Sequence, residues 1–260
     1  MRRVLLLAST LALLVAGTLA ASPFFSAAAS TSSPAPAAGV KPTLASAPTA
    51  GRTGAETRPA SHGFLIARPA GDRAIVLRSR PGGSVLATVA PRTEFGSPLA
   101  LGVIERRGGW VGVLSVSLGN GRVGWTETGD VRLSSTRVSL RLDLSERLLV
   151  LKKGARVIRR MTIGIGRAES PTPTGRFAVT DKVAGSRYGA YYGCCILALS
   201  AEQPNLPRGW TAGDRIAVHG TNDPASIGAR FSAGCPHASD ADMRVLIRRV
   251  PLGAPVFVHA

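Results

Sequence analysis

Short runs of alternating apolar and polar residues, each ended by a turn, fill the sequence from Gly63 onward. Successive side chains of a strand point to opposite faces of a sheet, so this alternation is typical of half-buried strands. Clusters of Gly, Pro and Asn separate the runs, and Asn120-Gly121 is typical of a tight hairpin because both residues accept positive φ. The pattern predicts a mostly β fold.

The first 60 residues lack this pattern. Met1-Arg2-Arg3 precedes an apolar run and then small residues, which is the order of a secretory signal peptide. An uncleaved anchor is the alternative, because residues 4–21 approach the roughly 20 residues that cross a bilayer, and such an anchor would tether the protein to a membrane. Residues 22–60 are almost all Ala, Ser, Thr, Pro and Gly, which predicts a disordered linker. In both cases the remainder of the chain is exported.

The formal net charge of +17 is spread along the chain. It favours a polyanionic surrounding, such as a cell envelope, a membrane face or nucleic acid. Nucleic acid is not expected as a partner, because the charge is diffuse and no recognition motif occurs. Three cysteines and no CxxC pair predict neither a disulfide scaffold nor a zinc site.

Two of the cysteines, Cys194 and Cys195, are adjacent within an apolar run over residues 191–199. In a strand their side chains would point to opposite faces, which predicts core packing for one of them. A disulfide from either of them to Cys235 is an alternative in an exported protein.

Residues 61–135 predict a small β domain that resembles a bacterial SH3-like barrel. The resemblance rests on an early loop over residues 77–82 and on later strands that contain Trp110 and Trp125. Such domains often bind peptidoglycan. The two tryptophans are interpreted as core aromatics, with a ligand platform as the alternative. The predicted strands are residues 75–77, 84–89, 99–105, 110–115 and 123–126.

Residues 136–260 form the second predicted domain, which begins with an antiparallel meander. Further along, His219 ends an apolar run and therefore lies at the end of a predicted strand. Cys235 follows sixteen positions later, after a glycine-bearing loop. Because an imidazole within reach of a cysteine can activate it, the pair predicts a nucleophilic thiol. A buried, inert cysteine is the alternative.

A short helix is predicted directly after Cys235. Ser239 is its predicted N-cap, paired with Asp242 in a capping box. A thiol just ahead of a helix start has the surroundings of an activated thiolate. Gly234 allows tight backbone, so that amide groups converge on a developing oxyanion. The helix has an apolar stripe at Met243, Leu246, Ile247 and Val250.

These segments resemble the L,D-transpeptidase family, whose catalytic domain (YkuD-like) is a β-sandwich that crosslinks peptidoglycan through a cysteine. Other matching segments are Gly164-Ile165-Gly166 and residues 142–145, 171–177 and 250–256. The resemblance implies that Cys235 is the nucleophile, that His219 is the general base and that the Gly220 carbonyl orients His219. It also implies substrate-binding positions at Ser232, Gly234, His237, Thr221, Asn222 and Tyr192.

The sequence departs from the family pattern at two positions. Ala233 replaces the usual second histidine, and His237 replaces an arginine that would pair with a substrate carboxylate. A histidine cannot reproduce the bidentate contact of a guanidinium. Arg230 or Arg244 is a candidate to compensate, and His237 itself is interpreted either as a substrate contact or as a surface residue.

The sequence therefore predicts an exported enzyme of the cell envelope that transfers an acyl group from a peptidoglycan stem tetrapeptide to an amine. No metal and no organic cofactor are expected, since the family needs none. With water as the acceptor the same site would be an L,D-carboxypeptidase. The remaining alternative is a non-catalytic peptidoglycan-binding protein that lost activity through Ala233 and His237.

Overall fold

The regular structure of the described residues is mostly β, as the alternation predicts, with one α-helix near the C-terminus. The structure, a computed structural model, describes residues 63–211 and 213–260. The predicted signal peptide or anchor and the predicted linker lie outside these residues. Within them, no helix is both long and apolar enough to cross a membrane.

The N-terminal part is one antiparallel sheet of seven strands in the order β3-β2-β6-β5-β4-β1-β7. Five of these strands coincide with the predicted runs. The strands are β1 (Phe64–Pro69), β2 (Ile75–Arg78), β3 (Val85–Val89), β4 (Leu101–Arg107), β5 (Trp110–Leu114), β6 (Val123–Glu127) and β7 (Val131–Thr136). Trp125 is buried and Arg107 lies over its ring, in agreement with a core aromatic. The SH3-like assignment of this sheet stays a prediction.

The C-terminal part contains a second seven-stranded sheet, in the order β10-β9-β8-β16-β12-β13-β14, and a two-stranded sheet of β11 and β15. The predicted meander is confirmed as β8, β9 and β10. The elements are β8 (Val138–Asp143), β9 (Leu148–Lys153), β10 (Arg156–Thr162), β11 (Ile165–Gly166), β12 (Gly175–Ala184), β13 (Cys195–Glu202), β14 (Arg215–His219), β15 (Arg230–Ser232), α1 (Asp240–Arg249) and β16 (Pro255–His259).

The helix after Cys235 begins where the sequence predicts. The Ser239 hydroxyl accepts a hydrogen bond from the Asp242 amide at 3.1 Å and caps α1. Met243 and Leu246 are fully buried, so the predicted apolar stripe faces the core. The core lies between this helix and the second sheet, and it fixes where the chain segment that carries Cys235 enters the helix.

The two large sheets contact each other through polar side chains. The Asn120 side chain forms two hydrogen bonds with the backbone of Glu202, at 2.6 and 2.9 Å. The Arg176 guanidinium donates to the Val103 carbonyl at 3.2 Å. The N-terminal sheet therefore contacts the second sheet at strands β12 and β13.

The core packing predicted for Cys194 or Cys195 is confirmed, since both cysteines pack against the core of the second sheet, but strand alternation is not its cause. Strand β13 begins only at Cys195, so the alternation of a strand does not apply to the pair, and the two sulfur atoms are joined in a disulfide between adjacent residues. A disulfide from either of them to Cys235 is also absent, since Cys235 is a free thiol.

Candidate active site

His219 is the last residue of β14, as its apolar run predicts. Its amide donates to the Pro236 carbonyl at 3.1 Å, and its carbonyl accepts from the Ala238 amide at 2.9 Å. These two hydrogen bonds hold the segment after Cys235 alongside the end of the strand. The backbone thus brings together two segments that are sixteen residues apart in sequence.

The protonation of the His219 ring is fixed by one short hydrogen bond. Its Nδ1 lies 2.6 Å from the Gly220 carbonyl oxygen. Because a carbonyl only accepts, Nδ1 carries the hydrogen and Nε2 keeps its lone pair. Gly220 itself has no space for a side chain, since a Cβ would lie 2.2 Å from Asp240 Oδ1. The imidazole is therefore held as a neutral base with Nε2 available.

Cys235 and His219 line the same cleft, which holds about 340 Å³ of open space. Ser232 and Tyr192 line it as well. The Cys235 sulfur lies 3.4 Å from the Ala217 amide nitrogen and 3.7 Å from the Arg215 carbonyl oxygen. Both of these contacts suit a neutral S–H group, which accepts weakly from the amide and donates weakly to the carbonyl.

The thiol is not activated in advance. Burial raises the pKa of the Cys235 thiol from 9 to about 11, although the hydrogen bond from the Ala217 amide acts in the opposite direction. The helix does not counter this effect, because α1 begins at Asp240 and Ser239 caps its first turn. The resting form of Cys235 at neutral pH is therefore the neutral thiol, and the generation of a thiolate with the help of His219 stays a prediction.

The loop before Cys235 is held by hydrogen bonds from three directions. The Ser232 hydroxyl accepts from the Gly234 amide at 3.1 Å, and the Gly234 carbonyl accepts from the Thr172 hydroxyl at 2.7 Å. The buried Gln203 amide donates to the Ala233 carbonyl at 3.0 Å. Gly234 has a φ of 125°, and a Cβ there would lie 2.1 Å from Gln203 Nε2. Only glycine fits this position.

His237 is fully buried, so its interpretation as a surface residue is wrong. The Tyr191 hydroxyl donates to its Nε2 at 3.2 Å, and its Nδ1 donates to the Ser226 hydroxyl at 3.0 Å. Ser226 in turn donates to the Asp223 carbonyl at 2.6 Å, which sets these directions. Every polar atom of the neutral ring has a partner.

Three aromatic rings pack around His219, the general-base candidate. The His219 ring lies 4.5 Å from the His237 ring and 4.8 Å from the Tyr192 ring, between centroids, and Tyr191 contacts both histidines. Burial lowers the pKa of His219 to about 3, with a further lowering from His237. Burial also lowers the pKa of His237 to about 4. Both imidazoles are therefore neutral at physiological pH.

The other predicted substrate positions lie outside the cleft lining. The Thr221 hydroxyl closes a turn with the backbone of Asp223, and Asn222 is exposed beside it. Of the two arginines suggested to replace the missing guanidinium, Arg244 pairs with Asp240 at 3.8 Å and Arg230 is exposed on β15. Neither lines the cleft.

A different arginine, Arg167, contacts the segment that precedes Cys235. The Arg167 amide and its Nε both donate to the Ser232 carbonyl, at 3.0 and 3.3 Å. Its charge is close enough to Tyr191 to oppose the rise that burial causes in the pKa of that phenol. The side chain is exposed and has no carboxylate partner in the part of the chain that the structure describes.

Sequence reasoning missed Arg167, Tyr191 and Gln203. Tyr191 precedes the predicted Tyr192, so the double tyrosine was an available signal. Arg167 and Gln203 belong to no motif and reach the site only through the fold. No group of three potential metal-ligating His, Cys, Asp or Glu residues occurs among residues 63–211 and 213–260.

Comparison with known proteins finds similarity in the C-terminal domain. Residues 137–258 match the family model of the L,D-transpeptidase catalytic domain, YkuD. The putative L,D-transpeptidase YkuD of Bacillus subtilis is 30% identical over 120 residues, which cover 45% of this chain and 63% of the relative. The probable L,D-transpeptidase YbiS of Escherichia coli is 32% identical over 123 residues, covering 42% of this chain and 40% of the relative.

Among solved structures, an L,D-transpeptidase from Mycobacterium smegmatis matches with a TM-score of 0.39 and 20% identity, over 53% of this chain and 73% of that one. The chain thus spans less than two thirds of the length of the curated relatives in Bacillus subtilis and Escherichia coli. The family match therefore covers residues 137–258, which include both Cys235 and His219.

The burial of His219 and His237 predicts that the free energy of unfolding falls as the pH is lowered. The folded-state pKa of His237 is lowered from 6.5 to about 4. Below pH 6.5 the unfolded chain therefore binds a proton at this imidazole, whereas the folded chain binds it only near pH 4. This penalty grows as the pH falls to about 4 and reaches up to about 3 kcal/mol. We expect His237→Gln to lose less unfolding free energy than the wild type between pH 7 and pH 4, measured by urea denaturation. Equal losses in both proteins would contradict the assigned burial.

The raised pKa of the Cys235 thiol predicts how the rate of its alkylation depends on pH. We expect alkylation of Cys235 by iodoacetamide to accelerate about tenfold per pH unit from pH 7 upward and to level off near pH 11. Cys194 and Cys195 do not react in non-reducing buffer because their sulfurs are joined. Mass spectrometry follows the label, with a short cysteine peptide as the control. A plateau below pH 7 would instead indicate a preformed ion pair with His219.

Proposed function

We propose, from the premise of an L,D-transpeptidase catalytic domain in residues 137–258, that this protein crosslinks peptidoglycan by cysteine-based acyl transfer. The observation that carries the proposal is the shared cleft of Cys235 and His219, in which the Gly220 carbonyl leaves Nε2 of the imidazole as a free base. A thiol beside an oriented base is the arrangement that nucleophilic catalysis requires.

The first step joins the enzyme to the donor peptide. His219 Nε2 removes the thiol proton while the Cys235 sulfur attacks the carbonyl before the terminal D-residue of a stem tetrapeptide. The S–C bond of a thioester forms, the C–N bond breaks, and the amine of the D-residue leaves with the proton from His219. Because the thiol and the imidazole both start neutral, the proton moves during the attack.

The second step releases the product. An amine of a neighbouring stem attacks the thioester carbonyl, His219 takes up the amine proton, and the Cys235 thiol re-forms. The amide energy of the donor is kept in the new crosslink, so no nucleotide is consumed. With water in place of the amine, the same steps give L,D-carboxypeptidase activity, and the product therefore depends on which acceptor reaches the cleft.

The oxyanion formed in both steps needs amide donors close to the sulfur. The Gly234 amide is engaged by the Ser232 hydroxyl. The Cys235 amide has no hydrogen-bond partner within residues 63–211 and 213–260. We therefore assign the Cys235 amide as the main oxyanion donor, while Ser232 and Gly234 hold its orientation.

The surface around the cleft suits a glycan-linked peptide. Five of the eight large exposed apolar side chains of the described residues lie around Cys235 or on its loop. They are Tyr188, Tyr191, Leu206, Trp210 and Phe231.

The same proposal includes export through residues 1–21, a linker over residues 22–60 and a wall-binding SH3-like role for residues 61–135. The net charge of +17 favours an anionic envelope.

Cys235 labelling tests the reaction class. A β-lactam is a strained cyclic amide, so its attack by Cys235 leaves the whole molecule attached and raises the protein mass accordingly. We expect a carbapenem adduct on the wild type, none on Cys235→Ala, and at least a hundredfold slower labelling of His219→Ala. Intact mass spectrometry measures all three under the same conditions.

Disaccharide-tetrapeptide then decides between the activities. A dimer with loss of the D-residue indicates transpeptidation, whereas a tripeptide without a dimer indicates a carboxypeptidase. A folded, reduced wild type that forms neither adduct nor product would exclude catalysis and would favour the non-catalytic binding protein.

Arg167 predicts how the donor is held. We expect Arg167→Gln to raise the KM for the tetrapeptide about tenfold with little change in kcat, because a charged hydrogen bond to a substrate carboxylate is lost. Arg230→Gln is the matched control: neither exposed arginine lines the cleft, but only Arg167 donates to the Ser232 carbonyl and acts on the Tyr191 phenol. Equal effects of both substitutions would mean that only general surface charge matters.

A further inference from the structure

The loop between β3 and β4 of the N-terminal sheet extends to the cleft of the C-terminal domain. Phe95 of this loop and Cys235 line the same cavity, which holds about 600 Å³ of open space. The Phe95 ring lies 6.2 Å from the Tyr188 ring, and Tyr188 lies 6.1 Å from Tyr192, between centroids. Tyr192 also contacts His219, so the aromatic contacts continue from the N-terminal sheet to the base.

This loop is fixed in place by charged and polar contacts on both sides of Phe95. The Thr93 hydroxyl donates to the fully buried Asp181 carboxylate, and Glu94 forms an ion pair with Arg215. Within the loop, the Thr93 amide donates to the Ser97 carbonyl at 2.9 Å. Phe95 is therefore held in position before any ligand arrives.

The residue that holds the loop also contacts the nucleophile. The Arg215 guanidinium donates to the Leu199 carbonyl at 2.9 Å and to Thr180 at 3.1 Å, and it lies 5.7 Å from the Phe95 ring. Its own carbonyl faces the Cys235 sulfur at 3.7 Å. One residue thus connects the loop, the wall of the cavity and the thiol.

The cavity beside Phe95 is lined mainly by apolar groups. Its walls are aromatic rings and small aliphatic groups, including Tyr188, Trp210 and Ala217. Its one cation, Arg215, is already paired with Glu94 and Asp181. A charged substrate group would lose its hydration there without gaining a partner, whereas an apolar group would gain from leaving water.

We propose that Phe95 is a specificity-determining residue that the N-terminal sheet contributes to this cavity beside Cys235, and that it forms the wall of a subsite for the apolar side chain of a substrate amino acid. The inference rests on the proposed function and adds a substrate class to it. The apolar residue is either the D-residue that leaves the donor or the amino acid that serves as acceptor.

Paired substrates of similar size test the subsite and distinguish these two sources. In one arm, donor tetrapeptides end in D-methionine or D-glutamine; in the other, these two amino acids are acceptors for a donor ending in D-alanine. We expect Phe95→Ala to lower kcat/KM about tenfold for D-methionine and less than twofold for D-glutamine, in the arm that uses the subsite. Phe95→Leu keeps an apolar wall and is therefore expected to retain most of the wild-type difference in kcat/KM between D-methionine and D-glutamine.

Phe64→Ala is the matched control. Phe64 also belongs to the N-terminal sheet and contacts the second sheet through Phe257, at 5.9 Å between ring centroids, but it does not line the cavity. A change in specificity that appears equally in Phe64→Ala, or an equal loss for both amino acids in Phe95→Ala, would overturn the proposal and indicate a structural role.

A binding measurement separates this inference from the proposed reaction. N-acetyl-D-methionine amide is expected to slow alkylation of Cys235 by iodoacetamide at pH 9.5 in the wild type and in Phe64→Ala. In Phe95→Ala we expect this protection to be about tenfold weaker. N-acetyl-D-glutamine amide is expected to protect weakly in all three. Protection without turnover would support the subsite and reject the transferase, whereas turnover with equal protection in all three would reject the subsite alone.

Discussion

The hydrogen bond from His219 Nδ1 to the Gly220 carbonyl determines what the cleft can do. It sets the tautomer, so the lone pair is on Nε2. The geometry depends on the close approach of α1, since Asp240 contacts Gly220 so tightly that a Cβ does not fit, and Asp240 Oδ1 also accepts from the Cys194 amide. The helix, β14 and the start of β13 therefore meet at one glycine.

Burial gives the site its resting state. His219 and His237 are buried and Cys235 is partly buried, and desolvation shifts each pKa so that the neutral form is favoured. A buried neutral pair is less costly to fold than a buried ion pair, because no charge has to leave water without full compensation. The free-energy cost of separating charge therefore arises during the reaction, when the proton moves from sulfur to imidazole. Preorganised dipoles must then stabilise the charge that forms.

Residues with a local signal were predictable from the sequence. His219 follows an apolar run and ends a strand, and Ser239 caps the helix that its spacing with Asp242 predicts. The sequence did not show that burial raises the pKa of the Cys235 thiol, because proximity to a helix along the chain does not measure desolvation around a sulfur. His237 was assigned no interior role, since its three partners come from separate segments.

The sequence by itself determined the strand pattern and the resemblance of the C-terminal part to the L,D-transpeptidase family, because alternation and short motifs depend on neighbours along the chain. The tertiary structure decided that Arg167 contacts the segment before Cys235 and that Phe95 lines the same cavity as the thiol. Arg167 and Phe95 lie 68 and 140 positions from Cys235 in sequence. No local pattern encodes such contacts, since they exist only after the sheets have packed and brought distant loops to one cleft.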